Sequence, residues 1–161
     1  LFDNGNDVGL ITEAGLPAVA DPGSQLVKLC HRHNIEVVPC SGPSSLMLAL
    51  MGSGLNGQSF AFLGYIPAKT DERRQALKSI EKHSASAHQT KIMIETPYRN
   101  DSLFADILNV CQGSTELCVA ADITMPDAYI MTKTVAEWKR YVAGKESIIG
   151  KRPCVFLILE H

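Results

Sequence analysis

The chain has 161 residues, of which 45% are hydrophobic and 20% charged, so it can bury the core of one domain or of two small ones. Its formal net charge of −2 gives no support to general electrostatic binding of nucleic acid, and any contact with RNA must come from a local patch. No apolar run approaches the ~20 residues that a membrane-spanning helix needs.

The cysteines predict a reducing environment. There are five, an odd number without a Cys-x-x-Cys pair, and most lie within apolar runs. This pattern is typical of reduced, buried thiols in a cytoplasmic protein. A zinc site made of Cys30, His31, His33 and Cys40 is disfavoured, because His31 and His33 face different directions on a helix and Cys40 lies beyond the next strand. We therefore predict no metal site.

The first third of the chain alternates predicted strands and helices. An apolar run predicts a buried strand at 8–11, and the next strand is predicted at 35–38. Asp21–Ser24 predicts the start of a helix, because a capping side chain and a proline suit a helix N-terminus. A second helix is predicted to begin within Ser41–Ser44 and to end at Met51. This rhythm favours a parallel sheet with helices.

A glycine pattern marks the predicted boundary between two domains. Gly52, Gly54 and Gly57 match Gly-x-Gly-x-x-Gly, but a dinucleotide fingerprint follows a strand and opens a helix. Here the pattern follows a predicted helix and precedes a predicted strand, which favours a flexible linker. We therefore expect residues 1–57 to be the remainder of an N-terminal α/β domain and residues 58–159 to form a C-terminal α/β domain.

The second domain is predicted to be α/β as well. Its strands are expected at 59–63, 90–95, 116–121, 129–134 and 154–159, and its helices at 70–82, after Thr96-Pro97, and at 135–142. Glu160 and His161 resemble the start of a histidine tag, so they are left out of the predicted fold.

Three predicted strand-to-helix loops are candidate ligand sites, because ligands of open α/β sheets bind beyond the carboxyl ends of the strands. The loop at 13–23 has small residues that let a ligand reach the backbone, although an ordinary connection has the same composition. The loop at 41–45 could bind a ribose or a carboxylate, or simply cap its helix. In the loop at 95–99, Arg99 holds an anionic substrate or pairs with a neighbouring carboxylate, and the residues alone favour the pair.

A basic cluster lies on the helix predicted at 70–82 and at its entry. It consists of Lys69, Arg73, Arg74, Lys78 and Lys82, interleaved with acidic residues. The pattern is typical of a solvated helix face, and a patch that binds RNA is the alternative.

Read together, the loops resemble one family. Ile11–Gly23 (ITEAGLPAVADPG) is similar to the signature of bacterial 16S rRNA 2′-O-ribose methyltransferases, a branch of the tetrapyrrole methylase superfamily. Val38–Ser45 (VPCSGPSS), Ser53–Leu55 (SGL), Gly64–Pro67 (GYIP) and Glu95–Arg99 (ETPYR) follow in the order of the family. The resemblance covers nearly the whole chain. The family's opening strand and its Gly-Pro-Gly-Asp loop have no counterpart here, and we expect them to lie before Leu1.

The resemblance implies two small α/β domains of the tetrapyrrole methylase type, with S-adenosylmethionine in the cleft between them and a homodimeric assembly. The cofactor-binding residues that it implies are Ala14, Gly15, Leu16, Val19, Ser44, Ser45 and Ala121. A ribose hydroxyl is a poor nucleophile that benefits from a carboxylate base, for which Asp122 and Glu95 are the candidates. The predicted substrate-binding residues are Tyr98, Arg99, Arg73 and Arg74.

The substrate leaves alternatives open. Where the rRNA enzymes usually carry Arg-Glu-Leu-Thr-Lys, this chain has Ala121–Met125 (ADITM), which lacks both basic residues. The alternatives are a C-methyltransferase of a corrin or porphyrin precursor, and a non-catalytic binding domain that retains the fold. Ala14–Pro17 (AGLP) favours ribosomal RNA, or the small ribosomal subunit, because the tetrapyrrole enzymes typically carry Gly-Gly-Asp-Pro there.

Overall fold

The computed structural model describes residues 5–145 and 147–161. Its contacts group the chain into two compact units, one ending at Ser45 and the other spanning Leu46–His161. The division precedes the boundary expected after residue 57, because helix α2 (Ser45–Ser53) packs Ala49 and Leu50 into the core of the second unit. The assignment of residues 1–57 to the remainder of an N-terminal α/β domain, and of residues 58–159 to a C-terminal α/β domain, stays a prediction.

In the first unit, helix α1 (Ser24–Arg32) forms where the sequence predicts it. The strands predicted at 8–11 and 35–38 are wrong, because neither segment has strand structure and Ile11 and Val38 are 89% and 71% exposed. A strand depends on a hydrogen-bonded neighbour, and the described part of this unit supplies none. The described residues of this unit therefore do not form the expected parallel sheet.

The second unit contains a five-stranded sheet and three further α-helices. The strands are β1 (Phe60–Tyr65), β2 (Thr90–Ile94), β3 (Glu116–Ala121), β4 (Tyr129–Thr134) and β5 (Cys154–Leu159), and the helices are α3 (Thr70–Ala87), α4 (Asn100–Val110) and α5 (Val135–Val142). A single 3-10 turn at Pro97–Arg99 precedes α4. The last three strands and α5 have the predicted bounds, whereas α3 continues beyond its predicted end.

The sheet is mixed, with the strand order β1-β2-β5-β3-β4. Strand β1 is parallel to β2, and every other neighbouring pair is antiparallel. Because β2 and β3 both run against β5, they run in the same direction, and β1, β2 and β3 finish at the same end of the sheet. We call this the carboxyl end. Ile94 and Ala120 both pair with Val155, so the ends of β2 and β3 lie two strand spacings apart, about 10 Å.

Both faces of the sheet are covered by helices. Alternate residues of β3 and β5 face opposite sides, as the pleat requires: Val119 and Phe156 belong to the larger cluster with α3, α4 and α5, and Ala120 and Leu157 belong to the smaller cluster with α2. The indole Nε1 of Trp138 donates to the carbonyl of Leu117 at 2.7 Å, which fixes α5 to the sheet.

Glu160 is part of the folded structure, although the sequence analysis left it out of the predicted fold. The residue is buried, its amide donates to Ser84 Oγ at 3.0 Å, and its Oε1 accepts from Ser114 Oγ at 2.9 Å. These hydrogen bonds join the residue after β5 to α3 and to the loop before β3. The local sequence around Glu160 does not predict them, because both partners are distant in the chain.

A buried ion pair joins α3 to α4. Asp106 accepts hydrogen bonds of 2.7 Å from both Arg73 Nε and Arg74 Nε, and Arg73 Nη1 also donates to the carbonyl of Ala68 at 2.8 Å. Burial opposes ionisation of Asp106, but the hydrogen bonds from Arg74 and Arg73 outweigh it and lower the pKa of this carboxyl. Asp106 is therefore a charged group at the helix interface.

Replacing Asp106 by Asn should destabilise the protein by about 3–5 kcal/mol at pH 7, because it leaves the buried Arg73 without its counter-ion. Since the folded-state pKa of Asp106 is lowered, its contribution is present at neutral pH and is lost as the pH falls from about 4 through that lowered value. Urea unfolding of the wild type and of Asp106→Asn between pH 7 and pH 3 measures both effects.

Glu72→Gln is the control, because the Lys69–Glu72 pair is exposed and should contribute less than about 1 kcal/mol. Equal unfolding free energies of Asp106→Asn and Glu72→Gln would contradict the larger contribution to stability that we predict for the buried ion pair.

The cysteines are free, as predicted, and four of the five are buried, with Cys40 exposed. Burial is the largest cause that raises the pKa of the Cys111 and Cys154 thiols to about 12 and also raises the pKa of Cys118. A thiol with so high a pKa stays protonated and unreactive near neutral pH.

A disulfide reagent such as 5,5′-dithiobis(2-nitrobenzoate) should therefore label Cys40 rapidly at pH 8 and the four buried thiols only after unfolding. Counting released thiolate against time measures this, and Cys40→Ser should abolish the fast phase. A fast phase that persists in Cys40→Ser would show that a buried thiol is accessible in the native state.

Candidate functional site

The carboxyl end of the sheet brings together the two predicted catalytic carboxylates. Glu95 directly follows β2, and Asp122 directly follows β3. The N-terminus of β5 lies between them, because Cys154 pairs with Ala121 and Val155 pairs with Ile94. Two segments separated along the chain thus place acidic side chains at one end of the sheet.

Glu95 is held by its own loop. Its side chain is fully buried, and Oε1 accepts hydrogen bonds of 2.7 Å from the amide of Thr96 and from Arg99 Nη2. The pairing of Arg99 with Glu95 that the residues alone favour is therefore present. Within residues 5–145 and 147–161, the other carboxylate oxygen, Oε2, has no hydrogen-bond partner, and neither do the buried Arg99 Nε and Asn100 Oδ1. Buried polar atoms without partners point to a bound water or ligand group.

Asp122 occupies a strained turn. Its φ is 48° and that of Thr124 is 77°, both in the left-handed region that costs non-glycine residues about 1–3 kcal/mol. The amide of Asp122 donates to the carbonyl of Pro153 at 3.0 Å, and its carbonyl accepts from the amide of Met125 at 2.9 Å. The surrounding hydrogen bonds thus hold a backbone conformation that aspartate and threonine rarely adopt. Such strained residues occur frequently at active sites and ligand-binding sites.

Arg152 is a site residue that the sequence did not single out. Its Nε lies 3.7 Å from Asp122 Oδ2 and donates to the carbonyl of Ile149 at 2.9 Å, and its Nη2 donates to the carbonyl of Ile148 at 3.0 Å. The guanidinium therefore sits in a fixed position beside the less buried of the two carboxylates. Neither spacing nor motif links residue 152 to residue 122, because β5 brings them together only in the folded chain.

The predicted substrate-binding residues lie in two places. Tyr98 and Arg99 lie in the 3-10 turn at the carboxyl end, with Tyr98 80% exposed. Arg73 and Arg74 are engaged by Asp106, and Arg73 is buried, so the fold itself accounts for both. Their assignment to substrate binding stays a prediction, and Tyr98 and Arg99 are better placed for it.

In the first unit, the two predicted cofactor loops touch each other. A Cβ on Gly42 would lie 3.2 Å from Leu16 Cδ2, so a larger residue at position 42 would require the Leu16 side chain to shift by a few tenths of an ångström. The first loop is a series of tight turns: the amide of Val19 donates to the carbonyl of Leu16 at 3.2 Å, and the φ values of Gly15 and Ala18 are 72° and 64°. Turns of this kind leave several backbone amides and carbonyls for a ligand.

The predicted cofactor-binding residues differ in how exposed they are. Ala14, Gly15 and Val19 are exposed, and Ser45 is exposed at the start of α2 next to the partly buried Ser44. Ala121 is fully buried in the core, so only its backbone could approach a ligand.

Neither a metal site nor a membrane-spanning helix is found in the described part of the chain. Among the described residues, no group of three or more His, Cys, Asp or Glu side chains is arranged to hold a metal ion. No helix within the same residues is both long and apolar enough to cross a membrane.

Comparison with known proteins identifies the family. The family model described as Tetrapyrrole (Corrin/Porphyrin) Methylases matches residues 1–139. The chain belongs to the tetrapyrrole methylase family. The resemblance carried by the loop motifs is thereby confirmed.

Curated relatives of this tetrapyrrole methylase carry the name Ribosomal RNA small subunit methyltransferase I. The chain is 35% identical to the protein from Vibrio cholerae, over 89% of the chain and 49% of the relative. It is 33% identical to the protein from Pseudomonas aeruginosa, over 98% of the chain and 54% of the relative. The chain thus spans about half the length of the curated relatives that it matches.

A solved structure shows the same fold. The crystal structure of the methyltransferase CobJ aligns with a TM-score of 0.56 and 14% identity, covering 91% of this chain and 62% of that one. The α/β fold of the tetrapyrrole methylase type is therefore confirmed.

Glu95 and Arg99 should show strong energetic coupling, because the carboxylate is fully buried and Arg99 is its cationic partner. Arg99→Ala should destabilise the protein, whereas in the double variant Arg99→Ala/Glu95→Gln the buried charge is gone and about 1–3 kcal/mol should be recovered. Urea unfolding of the two single variants, the double variant and the wild type completes the cycle. Additive effects of the two substitutions would contradict the structural pairing.

Proposed function

We propose that the protein containing this chain transfers a methyl group from S-adenosylmethionine to ribosomal RNA, at a ribose 2′-hydroxyl. The observation that carries the proposal is the 35% identity, over 89% of the chain, to a relative named Ribosomal RNA small subunit methyltransferase I. The position of the methyl acceptor rests on the loop motifs that resemble the 2′-O-ribose branch. By the same resemblance, we propose a homodimer that acts in the cytoplasm.

The chemistry makes modest demands on the protein. The sulfonium group already activates the methyl group, so the protein has to align the nucleophile in line with it and accept a proton. A carboxylate at the carboxyl end of the sheet suits the second task. Both Asp122 and Glu95 lie there.

Asp122 is the better candidate for the base. Its side chain is 14% exposed, and its contact with Arg152 is long at 3.7 Å, so its lone pairs remain accessible. Glu95 is fully buried, and its Oε1 is occupied by two donors. We assign Glu95 to holding Arg99 and the 3-10 turn in place, with its free Oε2 directed to a water or a ligand group.

The loops of the first unit are proposed to bind the cofactor. Ala14, Gly15, Leu16 and Val19 offer backbone groups from the tight turns, and Ser44 and Ser45 lie in the second loop. From the second unit, Ala121 can contribute only its backbone, because its side chain is buried. Tyr98 and Arg99 are proposed to contact RNA, and Arg73 and Arg74 to serve mainly as partners of Asp106.

Full-length protein given labelled S-adenosylmethionine should methylate RNA of small ribosomal subunits from a strain that lacks this gene, and should leave a precorrin-type tetrapyrrole unlabelled. Asp122→Asn should lower the transfer rate by about 10²–10⁴-fold, because it removes the proposed base, with little change in cofactor affinity measured by calorimetry. Glu116→Gln, at the opposite end of β3, is the matched control and should transfer normally.

Three outcomes would contradict the proposal in different ways. Label in the tetrapyrrole and none in RNA would exchange the substrate class. Full activity of Asp122→Asn would remove its assignment as the base. Absence of cofactor binding to the full-length protein would favour a binding domain that retains the fold without catalysis.

A further inference from the structure

An exposed aromatic ring with a cation beside it stands at the carboxyl end of the sheet. Tyr98 is 80% exposed, and Lys151 Nζ lies 5.3 Å from the centroid of its ring. A lysine on one face leaves the other face of the ring open to solvent. The two residues are 53 positions apart in sequence, so only the fold brings them together.

The backbones that carry these two side chains are braced by one buried residue. Asn100 is fully buried, and its Nδ2 donates to the carbonyl of Arg152 at 2.6 Å and to that of Gly150 at 3.3 Å. These two carbonyls flank Lys151, and Asn100 itself directly follows the 3-10 turn that carries Tyr98. Asn100 therefore ties the backbone beside Tyr98 to the backbone on both sides of Lys151, while the two side chains stay exposed.

The neighbouring charges leave Lys151 available. Arg99 is paired with Glu95, and Arg152 lies beside Asp122 and donates to two backbone carbonyls. In the described part of the chain, no carboxylate lies within ion-pair distance of Lys151. Lys151 is thus an exposed cation without a carboxylate partner among the described residues, so it can contact a phosphate even in a protein of net charge −2.

We infer that Tyr98 and Lys151 form a platform for single-stranded RNA, on which an unpaired base stacks on the open face of the tyrosine ring and Lys151 contacts a backbone phosphate. The inference rests on the proposed function, which supplies RNA as the substrate class. The RNA is then unpaired where it meets Tyr98, and Lys151 is a further residue that contacts it.

The geometry favours an unpaired base over a duplex. Bases within an A-form helix are stacked on one another, so a protruding ring cannot pack on them, whereas a splayed base offers a free face. Stacking on an aromatic ring is tolerant of base identity, so we expect the platform to hold the strand without selecting its sequence.

The experiment measures binding of the full-length protein to a short RNA, as a single strand and as a duplex of the same sequence, by fluorescence anisotropy. Tyr98→Leu should weaken binding of the single strand about tenfold and leave duplex binding unchanged, whereas Tyr98→Phe should retain binding because the ring is kept. Lys151→Gln should weaken binding and reduce the slope of log affinity against log salt by about 0.7.

Two substitutions at other places serve as matched controls. Phe60→Leu removes a partly exposed ring at the start of β1, the opposite end of that strand, and Lys139→Gln removes an exposed cation on α5. Both should bind the single strand as the wild type does. Calorimetry with S-adenosylhomocysteine should show unchanged cofactor binding in every variant.

The results separate failure of this inference from failure of the proposed function. If the wild type binds and methylates RNA but Tyr98→Leu binds the single strand equally well, or loses duplex binding to the same extent, the platform is wrong and the function stands. If the wild type binds cofactor but neither binds nor methylates RNA, the proposed substrate fails, and the platform fails with it.

Discussion

The position of β5 is the constraint on which the rest of the second unit depends. All six of its residues are buried, and it is hydrogen-bonded on one side to β2 and on the other to β3, antiparallel to both. A central strand that runs against two neighbours forces those neighbours to run alike. The ends of β2 and β3 therefore lie at one end of the sheet, and the loops that follow them present Glu95 and Asp122 together.

Strand β5 also delivers the residues that precede it. Arg152 and Pro153 come directly before Cys154, so the strand that aligns the two carboxylates brings a guanidinium to Asp122 and a carbonyl to its amide. The strained turn at Asp122 persists because these contacts hold it. The position of β5 thus both orders the sheet and supplies the contacts that hold Asp122.

The charged residues divide into structural and available groups. Arg73 and Arg74 are taken up by Asp106 at the interface of α3 and α4, and Arg99 is taken up by Glu95. Lys151 lies at the carboxyl end beside an exposed tyrosine and has no carboxylate partner within the described part of the chain. Affinity of this protein for an anionic partner therefore depends on where individual cations are left unpaired, since the net charge of −2 provides no general attraction.

Sequence by itself determined the family, the α/β class and the bounds of β3, β4, β5 and α5. These follow from loop motifs, apolar runs and capping residues, which act over a few neighbouring positions. It also predicted the strand-to-helix loop at 95–99, which begins with Glu95, whereas Asp122 is a candidate only through the resemblance to the family.

Tertiary structure decided what depends on distant partners. The segments at 8–11 and 35–38 have no described neighbour to pair with and form no strand, although their composition is that of strands. The antiparallel course of β5, the burial of Glu160 and the pairing of Arg73 with Asp106 each join segments far apart in the chain. The local sequence indicates which secondary structure a segment can form. Its hydrogen-bond partners and counter-ions come from distant segments, so they are present only in the folded chain.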